Sequence, residues 1–101
     1  MAASQTPVLY SDQKTVAVAG TAERLVAASL RVRSVVIGAK SGNTGKVFIG
    51  GSDVASTTNG GLAANSTLTI TAEAASFFDL TDIWVNAAVS GEGVDFYGMK
   101  A

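Results

Sequence analysis

The feature that most constrains this chain is how often its apolar runs are interrupted. Short stretches of β-forming residues alternate with glycine-rich or polar turns, roughly 8–15 residues apart, along its whole length. Arg31 to Ala39 is the longest such stretch, with Val35, Ile37 and Ala39 on one face and Ser34, Val36 and Gly38 on the other. Both faces are fairly apolar, the pattern of a strand covered on two sides. Lys40-Ser41-Gly42-Asn43-Thr44-Gly45 follows as a loop, then Lys46 to Gly50 as a strand that ends at the double glycine Gly50-Gly51. The two strands are expected to form an antiparallel hairpin.

The remaining segments repeat this rhythm. Lys14 to Ala19 suits a short strand stopped by Gly20-Thr21. Ala22 to Ala28 has helical residue types but is too short for a stable helix, and it reads as strand. Ser52 to Asn65 is polar, glycine-rich and irregular, with Leu62 dipping back towards the core. In Ser66 to Thr71, Thr67, Thr69 and Thr71 point outward while Leu68 and Ile70 point inward. Ile83, Val85, Ala87 and Val89 share one face of a strand that leaves Trp84, Asn86 and Ala88 on the other. After Ser90-Gly91-Glu92-Gly93, Val94 to Met99 closes the chain with Val94 and Phe96 facing inward. Seven or eight such strands define an all-β fold: an antiparallel β-sandwich or a jelly-roll-like barrel. It is expected as a single domain over residues 13–101, preceded by an extended arm over residues 1–12. Pro7 fixes the backbone of the arm in an extended form, and Pro7 through Tyr10 alternatively makes a first edge strand.

Composition narrows the function. The chain has 101 residues and an apolar content of 48%, but 17 of those residues are alanine, so the core is thin. Packing against other subunits would compensate, which points to a homo-oligomer, dimer or trimer. There is no cysteine and no histidine. This removes disulfides, thiolate metal sites, the commonest general base and the usual zinc ligand. No apolar run is long enough to span a bilayer, and the first residues lack the pattern of a signal peptide. Residues 1–50 hold six basic and two acidic side chains; residues 51–101 hold one basic and six acidic. The halves are therefore +4 and −5, an asymmetry that fits either solvated faces or patches meeting between subunits. The basic residues are few and have no interleaved aromatics, so nucleic acid is not an expected partner.

Candidate chemistry is sparse. Gly42 to Lys46 resembles a phosphate loop only superficially. Lys40 occupies the position of the first glycine, and Val47 stands where Ser or Thr would hold magnesium. Asp79 and Asp82 suit a turn before a strand better than a calcium loop. Paired carboxylates or an unassisted hydroxyl give no credible catalytic set. The expectation is a non-enzymatic protein with no cofactor and no metal. Its candidate interface residues are Pro7, Leu9 and Tyr10 in the arm, the outward-facing Trp84, and Tyr97.

The second half resembles small virion proteins of tailed bacteriophages, in particular head decoration (cement) proteins. The resemblance is carried by Lys46-Val47-Phe48-Ile49-Gly50-Gly51-Ser52-Asp53-Val54 and the glycine-rich loop to Leu62. Leu68-Thr69-Ile70, Asp79 to Ala87 and Gly91-Glu92-Gly93-Val94-Asp95-Phe96 continue it. It covers about residues 30–98, is a pattern of strands and turns, and transfers no functional residue. It implies a structural protein on the capsid surface of the virion, made in the bacterial cytoplasm, whose partners are the major capsid protein and itself. Other virion parts (a spike, fibre base or tail component) and a carbohydrate-binding module with Trp84 and Tyr97 as its platform are the alternatives.

Overall fold

The structure, a computed structural model, describes residues 8–57 and 59–101. It is an all-β sandwich of two antiparallel sheets. The strands are β1 (Leu9–Thr15), β2 (Glu23–Arg24), β3 (Arg31–Ala39), β4 (Val47–Gly50), β5 (Thr67–Thr71), β6 (Phe78–Asp79), β7 (Trp84–Ala87) and β8 (Gly93–Lys100). Sheet A has the order β1-β8-β3-β5, with β6 also paired to β3; sheet B has the order β2-β7-β4.

The pairings are nested. β1 pairs with β8, β2 with β7, β3 with β5 and β6, and Val47 of β4 forms a bridge with Leu62. Taken along these pairs the chain is one long antiparallel hairpin, rolled so that the β3–β8 and β4–β7 ladders close the two sheets, with β1, β3, β5, β6 and β8 in one and β2, β4 and β7 in the other. This is jelly-roll connectivity. It overturns the expected β3–β4 hairpin: β3 lies in sheet A and β4 in sheet B, so residues 40–46 cross between sheets. The loop length alone is compatible with either connection; β4 pairs with β7, Val47 opposite Ala87, and not with β3.

The core lies between the sheets. Val35, Ile37, Val94 and Phe96 of sheet A meet Val47, Val85 and Ala87 of sheet B, and Val16, Leu25 and Leu80 close the ends. β3 keeps strict alternation only as far as a bulge: its register against β8 shifts between Val32 and Ser34. An extra residue in one strand reverses the phase of the side chains. Val32 and Val35 are therefore both fully buried, three positions apart. The other face of β3 is only half-covered at Ser34, Val36 and Gly38, rather than covered on both sides.

Two more boundaries move. The strand expected over 14–19 is Leu9–Thr15, and residues 16–22 leave the sheet, with Val16 held by bonds to Glu92 O and from Gly91 N. Only Glu23 and Arg24 of the 22–28 stretch pair in a sheet. Residues 9–12 belong to the edge strand β1, in line at Leu9 and Tyr10 with the alternative reading of a first edge strand; residues 1–7 lie outside the described residues.

Candidate interaction surface

The two outer faces of the sandwich differ. On sheet B, Trp84 and Asn86 of β7 face outward beside Gly50 and Phe48 of β4. This face is roofed by the chain itself. Asn86 is 2% exposed. Its Nδ2 donates to Val54 O at 3.0 Å, and its Oδ1 accepts from Gly20 N at 3.0 Å. One amide side chain therefore ties the 51–62 loop and the 17–21 segment to β7. Gly61, at φ +71°, lies against Phe48 so closely that an added Cβ would come within 2.6 Å of the ring. Trp84 is half-buried, with the Arg24 guanidinium 5.2 Å from its ring centroid, a cation–π contact made within the chain.

Among the described residues, nothing forms such a roof over the outer face of sheet A. The register places Leu9 beside Met99, and Tyr97 between Ser11 and Val36. Leu9 is 73% exposed, Tyr97 56% and Met99 37%. Together with Val36 they form an apolar group over β1, β8 and β3, bordered by Ser11, Ser34 and Thr69. Aromatic and apolar residues grouped in this way characterise protein contacts more than scattered ones do.

Each candidate interface residue can now be placed. Leu9 and Tyr97 come together in this group. Tyr10 does not join them. Alternation turns it inward, its hydroxyl donates to Ser34 O at 2.7 Å, and its ring lies 6.5 Å from that of Phe96. Burial pushes its phenol up to about 12. Its space is provided by Gly98, its neighbour across the ladder, where a Cβ would come within 2.7 Å of the Tyr10 hydroxyl. Trp84 lies on the opposite sheet, so Trp84 and Tyr97 form no common carbohydrate platform. Pro7 is outside the described residues. Met99 and Val36 were missed from sequence; the signal was their position beside Tyr97 once strand register is known, which alternation within one strand does not supply.

The polar clusters have structural partners. The Glu92 carboxylate accepts from Thr44 N at 2.7 Å, Thr44 Oγ1 at 2.8 Å and Gly45 N at 2.9 Å. The amides of the superficially phosphate-like loop are thus occupied by a carboxylate of the same chain. Those backbone bonds hold the Glu92 carboxyl below its ordinary range. Asp79 caps the 3₁₀ turn Leu80–Asp82, accepting from Thr81 N at 2.9 Å and Thr81 Oγ1 at 2.7 Å, and also from Ser29 Oγ and Leu30 N. Its carboxyl is held far below the usual carboxylate range, first by the Ser29 hydroxyl and then by Thr81. Lys14 pairs with Glu23 at 2.9 Å, joining the β1 edge of sheet A to the β2 edge of sheet B. Among the described residues, no group of three or more His, Cys, Asp or Glu side chains is placed to hold a metal ion.

Comparison of the chain with protein-family models, with curated proteins and with solved structures finds no match.

Proposed function

We propose that this protein is a structural component of a phage virion that binds the outside of an assembled capsid and stabilises it, with the outer face of sheet A as its contact. The observation that carries this reading is the asymmetry between the faces: one is roofed by the chain's own loops through Asn86, while the other exposes Leu9, Tyr97 and Met99. A rigid sandwich with apolar side chains left exposed on one outer face suits docking on a repetitive protein surface. A ligand that binds only the assembled lattice stabilises it by mass action, and many modest contacts repeated over a shell act together. The expected phage resemblance supports the choice of a capsid as the partner.

The test is co-sedimentation of the purified protein with heads of its parent phage, followed by electron microscopy of the complex. The expected result is saturable binding with sheet A against the shell and a raised disruption temperature of the heads. Location in the tail, or no association with particles, overturns the reading.

A further inference from the structure

The edges of the two sheets are not equally protected. Sheet B ends on β2, which is two residues long, and on β4. The free side of β4 is already occupied: Val47 exchanges two backbone bonds with Leu62, at 3.0 and 2.7 Å, and Asn59 Nδ2 donates to Ile49 O. Sheet A ends on β1, which carries Asp12 and Lys14, and on β5. β5 is Thr67-Leu68-Thr69-Ile70-Thr71. It has high β propensity, no charge, no proline and no bulge in its pairing with β3. Natural sheet edges usually carry at least one such guard against further pairing.

The direction of its backbone groups follows from two bonds. Ala72 N donates to Arg33 O, and Ala39 N donates to Ser66 O. Even-numbered residues of this strand therefore turn their polar groups towards β3. The N–H and C=O groups of Thr67, Thr69 and Thr71 point away from it, and no backbone bond to another described residue occupies them.

We propose that β5 is a self-association edge, at which a second copy of this chain adds its own β5 antiparallel about a two-fold axis through Thr69. The sequence is self-complementary in that register. Thr69 pairs with the partner's Thr69, Thr67 with the partner's Thr71, and Thr71 with the partner's Thr67. Each such pair exchanges two bonds, so every outward backbone group of the strand is satisfied. Leu68 falls opposite the partner's Ile70 on the inner face. Leu68 is 37% exposed and lines an open cleft with Ile49, Gly61 and Leu62 where β5 and β4 flank the sandwich; the incoming strand covers it. Charge agrees with the register: beyond the strand, Glu73 comes opposite the partner's Asn65 instead of a second carboxylate. The opposite edge, β1, carries Asp12 and Lys14, charged residues of the kind that guard an edge against further pairing, and β5 has none.

The resulting dimer has a continuous sheet of order β1-β8-β3-β5-β5-β3-β8-β1. Both bare outer faces point the same way, so the docking surface is doubled. The inference stands independently of the capsid reading, because its readout is the oligomeric state in solution.

Sedimentation velocity over a concentration series tests it, with circular dichroism to confirm folding. The wild-type protein should pass from monomer to dimer. Thr69→Pro removes an N–H that has no partner among the described residues, and should weaken the dimer by about tenfold or more. Thr69→Lys and Thr69→Glu should each be monomeric, because the two-fold sets like charges against each other. An equimolar mixture of the two should recover the dimer. A wild-type protein that stays monomeric throughout overturns the proposal. So does a dimer that survives all three substitutions, or one that Tyr97→Glu dissociates and Thr69→Lys does not.

Discussion

At the scale of single residues, two kinds of side chain do work that composition hides. Asp79 is the first. Its folded pKa is depressed by the hydroxyls of Ser29 and Thr81 and by backbone donors, so the folded state takes up that proton at a lower pH than the unfolded chain does. The stability it contributes is complete above its ordinary value of 3.8 and is lost as pH falls through the folded pKa. Asp79→Asn keeps an acceptor for the cap but has no such proton to bind. Its melting temperature should change less between pH 6 and pH 2.5 than that of the wild type, as followed by circular dichroism; equal slopes would remove Asp79 from the acid response. Glycine is the second. A Cβ on Gly93 would lie 1.9 Å from Lys14 O, and one on Gly98 2.0 Å from Ser34 O. Gly42 has nothing within 4 Å and no positive φ. Gly93→Ala should destabilise by about 1–3 kcal/mol through forced backbone displacement. Gly42→Ala should be neutral or stabilising by up to about 1 kcal/mol, through the unfolded chain. Denaturant titration gives both signs. Nothing in the sequence distinguishes these glycines, because the close approach arises from strands far apart in the chain.

At the scale of elements, period-two alternation made the strands legible and pairing did not follow from it. Thr67 to Thr71 and Arg31 to Ala39 lie where alternation puts them, and Leu68 and Ile70 face inward as read. Alternation is a local property, however, and a jelly roll is specified by contacts between residues far apart. The crossing of residues 40–46 from sheet to sheet is one case; the bulge at Arg33, which buries both Val32 and Val35, is another. Which of Val8, Leu9 and Tyr10 turns inward was not legible for the same reason: none is charged, and only their partners in β8 determine it. The loop that makes the crossing is fastened by Glu92, three hydrogen bonds from Thr44 and Gly45 converging on one carboxylate. Glu92→Ala should leave the fold intact but release the Thr44 and Gly45 amides, which should then exchange with deuterium faster than in the wild type. Glu92→Gln, which keeps one acceptor oxygen, should fall between. Unchanged exchange at both amides in the alanine variant would show that the loop is held by its own geometry.

At the scale of the whole molecule, the outer face of sheet A and the roof over sheet B make opposite predictions for two aromatic residues of the same class. From sequence, Trp84 and Tyr97 were equally good interface candidates, since each faces away from its own strand's buried side. The sandwich separates them. Trp84 is half-buried beneath Arg24 and beside a roofed surface, whereas Tyr97 is 56% exposed between Leu9, Met99 and Val36. If sheet A is the docking face, Tyr97 sits near the middle of the contact, where truncating an aromatic anchor costs about 2 kcal/mol or more. Tyr97→Ala should then weaken capsid binding by about thirtyfold, and Tyr97→Glu by more, since a carboxylate would be driven into an apolar contact. Both variants should fold normally, because the side chain makes no core contact. Trp84→Ala should behave in the reverse sense. It should lower the melting temperature through the lost ring packing while leaving capsid affinity within a fewfold of wild type. Binding isotherms on intact heads, read beside melting curves for the same three proteins, separate the cases. Loss of binding with Trp84→Ala and retention with Tyr97→Glu would move the contact to sheet B, where the 51–62 loop and Asn86 would become the surface that recognises the shell.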